Sequence, residues 1–433
     1  MSLLRTDQQL TRNSYYVATT PRGAGFAPLR SAVDCDVAVV GGGLAGLSAA
    51  IELAQRGFKV VVLEARQVGW GASGRNGGQV IAGLACDHGL IEQQLGFTDA
   101  KAIWDMTLEA LRLIGERCAQ FNIHCDWQAG YLGLAVNARK GAALQRWQAD
   151  MAQRYDYRTQ WIAPEDLPGW IDSPRFHSGV YDPLGGHLHP LKYSLGLAGA
   201  AASLGVQILE HSAVTALEPG RTVRLRTAEG EVRAAHALLA GNVYLGGVAP
   251  ALERRIMPVG TYIVASEAMD PALARSLIPS QSAVCDTNFV LDYFRPTPDH
   301  RMLYGGRVSY STATPVNLKA SMQRRMATTF PQLAGTDIEF SWGGFVDVTI
   351  NRAPDFGRLP GGHENVYYLQ GFSGHGLAMT GLAGRLVAEA MAGDAQRFDI
   401  FARLRHRPFP GGRWLRTPAL VAGMAYYRLK DLL

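Results

Sequence analysis

The chain has 433 residues, of which 47% are hydrophobic and 18% are charged, and its formal net charge is +5. A chain of this size and composition can bury a large core, so intrinsic disorder is excluded and two or three domains are expected. No run of lysine or arginine stands out, so nucleic acid is not an expected partner. The five cysteines form no CxxC pair and no Cys/His cluster, which predicts reduced thiols, no metal site and a cytoplasmic location.

The first predicted elements form a βαβ unit. The apolar run DVAVV at 36–40 predicts a buried parallel strand, apolar residues at helical spacing predict a helix over 44–54, and FKVVVLEA at 58–65 predicts a second strand. The stretch 37–54 is apolar enough to resemble a membrane span, but its three consecutive glycines and Glu52 favour strand, turn and helix. The N-terminal residues lack the apolar core of a signal peptide, so we expect neither a membrane span nor a leader.

The turn of this unit carries a phosphate-binding pattern. Gly41, Gly43 and Gly46 follow the strand and open the helix, as the tight turn, the close pyrophosphate approach and the helix packing of a dinucleotide site require. Glu64 ends the second strand, where a ribose-binding acid belongs, and favours an unphosphorylated ribose as in FAD or NAD. The alternative is a glycine turn in another α/β fold.

The remaining elements alternate between helical and β-rich segments. The α/β signals lie at both ends of the chain, which predicts an α/β fold with a Rossmann-type dinucleotide domain built from discontinuous segments and a β-sheet-rich (α+β) substrate domain. We assign 30–90, 186–248 and 345–433 to the first domain, and 91–185 and 249–344 to the second. The predicted elements are helices at 100–121 and 140–155, a strand at 130–137, a helix and two strands over 191–218, a strand at 236–242, a hairpin over 288–310, a strand at 365–370 and a glycine loop entering a helix over 371–393.

Two further glycine-rich loops favour a flavin. The loop GWGASGRNGGQV at 69–80 offers bare backbone N–H groups together with Arg75 and Asn76, which suits a phosphate or a flavin edge. The second loop, 371–376, leads into a helix whose N-terminus can stabilise negative charge on a reduced flavin ring. The alternatives are a flexible surface loop for the first and a structural role for His375 in the second.

Three segments resemble the D-amino-acid-oxidase-like family of FAD-dependent oxidoreductases: DVAVVGGGLAGLSAAIELAQRGFKVVVLEA, GWGASGRNGGQ and GFSGHGLAMTGLAGRLVAE. More narrowly, SYYVATT, LDYFRPTPDHRMLYGGR and FPGG resemble the γ-glutamylputrescine oxidoreductase group of that family. The resemblance implies oxidation of a C–N bond by hydride transfer to FAD, reoxidation by O2 to hydrogen peroxide, and hydrolysis of the imine to an aldehyde. Family members that hold flavin covalently use a His in the first loop or a Cys within 343–357, and neither is present, which implies non-covalent FAD.

The resemblance also implies site residues. The predicted FAD-binding residues are Gly41, Gly43, Leu44, Ala45, Gly46, Glu64, Ala65, Ala72, Ser73, Arg75, Asn76, Gly77, Gly78, Val214, Gly241, Gly374, His375, Gly376 and Leu377. His375 and Asp347 are the catalytic candidates. Val346 or Asp347 stands where amino-acid oxidases tend to place a carboxylate-binding Arg, and an acid suits an amine cation better than a carboxylate. A turn role for Asp347 is the alternative.

Candidate substrate residues follow from the chemistry of amines. Hydride leaves from a neutral amine, and an apolar aromatic site lowers an ammonium pKa by desolvation. Tyr293, Phe294, Trp342 and Phe345 are the candidate walls, with ordinary core packing as the alternative. Arg295 and Arg307 of the predicted hairpin are candidate readers of a substrate carboxylate, since a planar guanidinium binds it bidentately; solvated hairpin arginines are the alternative.

We interpret the chain as an FAD-dependent oxidase of a primary amine, with γ-glutamylputrescine as the leading substrate and O2 as the second. One alternative is a flavin oxidase or dehydrogenase for another amine or amino acid, such as a polyamine, sarcosine or glycine. The other is a flavin-bound protein without catalysis. The sequence makes no prediction of oligomeric state.

Overall fold

The computed structural model of the chain describes residues 7–309 and 317–410, without the side chains of residues 8, 9 and 307–309. The described strands are β1 (Val33–Val40), β2 (Val60–Leu63), β3 (Gln79–Val80), β4 (Gln128–Ala135), β5 (Gln160–Ile162), β6 (Ser178–His187), β7 (Gln207–Leu209), β8 (Ala216–Glu218), β9 (Val223–Arg226), β10 (Glu231–Leu239), β11 (Met257–Ser266), β12 (Ala283–Asp286), β13 (Tyr293–Pro296), β14 (Met302–Ser309), β15 (Ile338–Val348), β16 (Asp355–Leu359) and β17 (His363–Gln370). The described helices are α1 (Tyr15–Ala18), α2 (Leu44–Gln55), α3 (His88–Leu95), α4 (Phe97–Gln120), α5 (Ala138–Arg154), α6 (Pro190–Ser203), α7 (Pro250–Glu253), α8 (Pro271–Leu277), α9 (Leu318–Thr329), α10 (Gly376–Met391) and α11 (Gln396–Ala402).

The first sheet is built around β1. Its strand order is β16-β17-β10-β1-β2-β7, with β8 and β9 attached as an antiparallel ribbon to β10. β1 pairs in parallel with β2 and β10, and β17 and β7 extend the parallel core. Val37 and Val39 of β1 pack on one face, with α2 and α10, while Ala38 and Val40 pack on the other. Both faces are therefore covered, which explains why β1 and β2 end in continuous apolar runs.

The second sheet has nine strands in the order β15-β11-β14-β13-β12-β4-β6-β3, with β5 beside β6. Its pairs are antiparallel except β4 with β12. A separate core that includes Leu132, Phe294 and Tyr304 joins this sheet to Met322 and Met326 of α9. The sheet therefore has its own hydrophobic core.

The predicted fold class is confirmed. The βαβ unit is observed as β1, α2 and β2, and the predicted hairpin as β13 and β14, which pair antiparallel. The helix α4, which we placed in the second domain, donates from Arg117 to Ser48 and Glu52 of α2, at 2.9 and 3.2 Å. Arg385 of α10 reaches the same carboxylate at 3.1 Å, so Glu52 ties three helices together. The predicted domain boundaries stay a prediction.

The apolar stretch at 37–54 is divided between a strand and a helix. No helix within 7–309 and 317–410 combines the length and apolar composition that crossing a bilayer requires. The stretch 37–54 forms the second half of β1, the glycine turn and nearly all of α2 instead.

Candidate cofactor and substrate site

A cavity of about 1040 Å³ is lined by residues from both sheets. Val40 and Glu64 line it at the carboxyl ends of β1 and β2, and Tyr293, Phe345 and Asp347 line it from β13 and β15. Ligands of open α/β sheets bind at the carboxyl ends of the parallel strands. This cavity thus lies where the fold places a cofactor.

The glycine turn after β1 leaves no room for side chains. Gly41 has φ +111°, and an added Cβ would lie 2.6 Å from the carbonyl oxygen of Ala240. A Cβ on Gly43 would lie 2.7 Å from Oγ of Ser73, and one on Gly46 would lie 2.0 Å from the carbonyl oxygen of Gly41. The helix α2 begins directly after Gly43, which supplies no side-chain cap. The N–H of Leu44 donates to Oγ of Ser73, while Leu44 and Ala45 line the cavity, so the positive N-terminus of α2 faces it.

Glu64 orders the turn from the neighbouring strand. Its carboxylate accepts from the backbone N–H of Gly42 at 2.7 Å and from that of Arg66 at 2.8 Å. Burial raises the pKa of Glu64, and these two donors act against that rise. The carboxylate also lines the cavity beside Ala65 and Val214. Its remaining acceptor capacity suits a ribose hydroxyl, and that contact stays a prediction.

Arg75 supplies a buried cation to the cavity wall. Its side chain is 6% exposed, pairs with Asp7 at 2.9 Å and lies over the Trp70 ring with its guanidinium carbon 4.1 Å from the ring centroid. Nη2 of Arg75 is buried and has no hydrogen-bond partner among the described residues. Since unsatisfied buried donors are rare, this atom indicates a ligand oxygen in the cavity.

The third glycine loop ends at α10. This 16-residue helix begins at Gly376, and His375 in the capping position makes no side-chain cap. Gly374, His375, Gly376 and Leu377 line the cavity, so the positive end of the helix faces it. Burial and the nearby charge of Arg352 lower the pKa of His375 to about 4. The imidazole is therefore neutral at pH 7.

Asp347 holds this loop in place. Its buried carboxylate accepts from the backbone N–H of Gly371, and its backbone carbonyl accepts from the N–H of Ser373 at 3.0 Å. Burial raises the pKa of Asp347 to about 6, so the carboxylate is ionised at pH 7. The side chain also lines the cavity, where a role toward the substrate stays a prediction.

Most of the predicted cofactor residues are brought together in this one cavity. Those that line it are Gly41, Gly43, Leu44, Ala45, Glu64, Ala65, Ala72, Ser73, Arg75, Asn76, Gly77, Val214, Gly241, Gly374, His375, Gly376 and Leu377. Gly46 and Gly78 lie behind the wall, where Gly46 permits α2 to pack on the turn and Gly78 donates its N–H to Oδ1 of Asn76.

The predicted substrate residues divide between the cavity and the core. Tyr293 and Phe345 line the cavity. Trp342 does not; it is buried, and its indole N–H donates to the carbonyl oxygen of Arg75 at 2.9 Å. The backbone of Arg307 pairs with Tyr262 in the sheet, and its side chain lies outside the described residues.

The placement of Arg295 argues against its predicted role. Its side chain is 2% exposed and donates to the carbonyl oxygens of Gly77 and Leu188, at 2.7 and 3.3 Å, and to the Tyr16 hydroxyl at 3.2 Å. Strand alternation does put Arg295 on the same side as Tyr293, but the loop at 77–78 covers it. The guanidinium therefore holds this loop to β13 and does not face the cavity.

Several of the lining residues are not among the site residues predicted from the sequence. Trp70, Tyr244, Phe289, Arg352 and Phe409 all line the cavity. The guanidinium carbon of Arg352 lies 5.2 Å from the ring centroid of Phe289, in cation–π contact. Each is an isolated aromatic or basic residue in the sequence, and only the tertiary fold brings them together.

The comparisons agree with this geometry. The family model "FAD dependent oxidoreductase" (DAO) matches residues 36–390. Over 422 residues the chain is 43% identical to the γ-glutamylputrescine oxidoreductase of Escherichia coli (strain K12), covering 97% of this chain and 98% of that protein. Over 426 residues it is 39% identical to the probable oxidoreductase OrdL of Haemophilus influenzae, covering 96% and 97%.

The fold likeness extends to more distant proteins. The structure of glycine oxidase from Geobacillus kaustophilus matches with a TM-score of 0.73 at 22% identity, covering 87% of this chain and all of that one. At such identity the likeness shows the fold alone. The family match, however, spans all three glycine loops and both sheets. The chain therefore belongs to the family of FAD dependent oxidoreductases and uses FAD as its cofactor.

Proposed function

We propose that the protein oxidises the primary amine of γ-glutamylputrescine to an imine, which water hydrolyses to an aldehyde and ammonia while O2 is reduced to hydrogen peroxide. The observation that carries this substrate is the end-to-end likeness to a γ-glutamylputrescine oxidoreductase at 43% identity. When bound, FAD accepts a hydride from the carbon next to the amine nitrogen and passes the electrons to O2.

The residues of the cavity fit FAD along its length. The turn Gly41–Gly43 and the N-terminus of α2 would hold the pyrophosphate, and Glu64 would hold the ribose. The N-terminus of α10 would lie at the flavin ring, where its dipole favours negative charge. The unpartnered Nη2 of Arg75 supplies a donor between these two ends.

The apolar part of the cavity serves the amine. A free alkyl ammonium has a pKa of about 10.4, so holding the amine neutral at pH 7 costs roughly 4 to 5 kcal/mol. Tyr293, Phe289 and Phe345 remove water from this part of the cavity and so lower that cost. His375 is neutral at pH 7, and we propose that its imidazole accepts an N–H of the amine and orients the reacting carbon.

The cofactor is expected to be held without a covalent bond. Precipitating the holoenzyme with acid or heat should release yellow FAD into the supernatant, because the attachment residues of covalent family members are missing from 69–80 and 343–357. The absorbance of supernatant and washed pellet measures the partition. A pellet that stays yellow after washing would contradict the prediction.

The substrate is tested by anaerobic reduction of the bound flavin. We expect γ-glutamylputrescine to bleach the flavin with a higher second-order rate constant than putrescine, spermidine, glycine or sarcosine, because binding of its glutamyl end contributes to orientation of the amine. Admitting air should restore the colour and release hydrogen peroxide. A preference for any other amine of the panel would reject the proposed substrate, and bleaching by none of them would favour a non-catalytic role.

A further inference from the structure

A second compartment adjoins the cofactor cavity. It has a volume of about 370 Å³ and is lined by the segment 81–87, by residues of α3, α4 and α5, and by residues of β4 and β6. The two cavities share the lining residues Ile81, Ala85, Cys86, Asp87 and His375. The compartment therefore adjoins the cavity at His375 and at the segment 81–87.

Aromatic rings form much of its wall. The ring centroids of Trp104 and Tyr157 lie 5.0 Å apart, and those of Trp147 and Tyr157 lie 6.3 Å apart, both in edge-to-face arrangement. All three rings line the compartment. Aromatic walls of this kind attract cations through their ring faces.

A carboxylate without a counter-ion lines the same compartment. Asp182 is 2% exposed and accepts hydrogen bonds from the Tyr157 hydroxyl and from the backbone N–H of Leu184, the latter at 2.9 Å. Within 7–309 and 317–410 it forms no ion pair with lysine, arginine or histidine. Buried charges are normally paired with an opposite charge. The missing positive charge at Asp182 would therefore come from a ligand.

Two unpartnered polar groups line the same compartment as this carboxylate. The indole Nε1 of Trp104, a residue 9% exposed, and Oγ1 of Thr159 are buried without a hydrogen-bond partner among the described residues. Both residues line the compartment. An indole N–H can only donate, so it requires an acceptor such as a carboxylate oxygen. The compartment thus offers a carboxylate for a ligand cation and an unpartnered N–H for a ligand acceptor.

We propose that this compartment binds the α-amino acid end of the substrate, with the α-ammonium at Asp182 and the α-carboxylate at Trp104 and Thr159. The proposal rests on γ-glutamylputrescine as the substrate, whose far end is such a zwitterion. Asp182, Trp104 and Thr159 would then recognise the glutamyl end of the substrate. Arg295 does not, because its guanidinium is enclosed by protein acceptors.

Kinetics with matched substrates test the carboxylate. Asp182→Asn should lower kcat/KM for γ-glutamylputrescine about ten- to a hundredfold, the effect of one charge-assisted contact. It should change kcat/KM by less than about twofold for N-glutarylputrescine, which lacks only the α-ammonium. Tyr157→Phe, which keeps the charge, should preserve the preference for the glutamyl substrate. Equal losses on both substrates, or none on either, would overturn the proposal.

A second variant covers the case in which Asp182→Asn does not fold. Trp104→Phe keeps an aromatic ring and removes the N–H. It should lower kcat/KM for both γ-glutamylputrescine and N-glutarylputrescine, which share the carboxylate, and leave N-acetylputrescine unaffected. FAD content and melting temperature verify the fold of each variant. Loss on N-acetylputrescine as well would assign Trp104 a structural role and count against the proposal.

Binding without turnover separates this proposal from the proposed function. The holoenzyme is labelled with 5-fluorotryptophan, and the ¹⁹F resonances of Trp104 and Trp147 are assigned with the variants Trp104→Phe and Trp147→Phe. The probe is γ-glutamylbutylamide, which lacks the reacting amine. It should shift both resonances. Glutarylbutylamide should require at least about tenfold higher concentration. If the resonances shift but the protein does not oxidise γ-glutamylputrescine, the proposed function is rejected and the proposed binding compartment is supported. Oxidation without these shifts would keep the function and reject the compartment.

Discussion

Gly43→Val should yield a folded protein that no longer binds FAD. The new Cβ would lie 2.7 Å from Oγ of Ser73, whose hydroxyl accepts the N–H of Leu44 at 2.9 Å. The serine side chain can rotate away, so the strand and the helix should persist. The two γ-methyl groups would then occupy the space beside the N-terminus of α2 where the pyrophosphate must approach the backbone. We therefore expect loss of binding without loss of fold.

The measurement is the ratio of FAD absorbance to protein after purification, followed by titration with added FAD. Gly115→Val is the matched control, since a Cβ at Gly115 of α4 meets nothing within 4 Å. It should keep the wild-type FAD content. Melting of the Gly43→Val protein should resemble that of wild-type apoprotein. FAD content equal to wild type would place the dinucleotide site elsewhere.

The rate of flavin reduction at low substrate should rise about tenfold per pH unit between pH 7 and 9. The amine has a pKa of about 10.4, so its neutral fraction grows by that factor as pH rises toward the pKa. His375 and Asp347, with pKa values of about 4 and about 6, have both lost their protons below this window. Between pH 7 and 9 the charges of His375 and Asp347 therefore stay constant, while the neutral, reactive fraction of the substrate amine increases.

Anaerobic stopped-flow reduction with γ-glutamylputrescine well below saturation gives the profile. An analogue with fluorine on the carbon next to the amine-bearing carbon has a less basic amine, and its rate should reach a plateau at lower pH. Because the enzyme is the same in both series, a shift of the plateau assigns the titration to the substrate. A flat profile for γ-glutamylputrescine would mean that the site accepts the ammonium form and removes its proton without limiting the rate.

Local patterns identified residues that line one cavity, and their contacts with FAD stay a prediction. The turn Gly41–Gly46, the acid at Glu64 and the loop at 371–376 each combine their chemistry with the adjacent strand or helix inside one short segment. Their requirements are steric and local, such as the carbonyl of Gly41 lying 2.0 Å from a Cβ at Gly46. A glycine pattern of this kind can be recognised from the local sequence alone.

The substrate half was less predictable because its contacts are tertiary. Alternation correctly put Arg295 and Tyr293 on one side of β13, yet nothing local shows that the loop at 77–78 covers Arg295. Asp182 and Trp104 likewise belong to no local motif, so the sequence does not mark them as site residues. Asp7, which pairs with Arg75, is separated from it by the whole βαβ unit. These contacts can be identified only in the folded structure, where the two sheets lie together.

The strand order of the first sheet has a consequence for how the protein is made. β1 pairs on one side with β2, which follows it closely, and on the other with β10 at 231–239, while β17 at 363–370 joins later still. On the ribosome, one edge of β1 therefore waits unpaired until most of the chain has emerged, and such edges recruit strands from other chains. The glycine loop at 371–376, which we assign to the flavin end of the cavity, is synthesised after all of the described strands. FAD would accordingly be loaded into a nearly finished chain, and slow cofactor supply would leave an apoprotein open at that end.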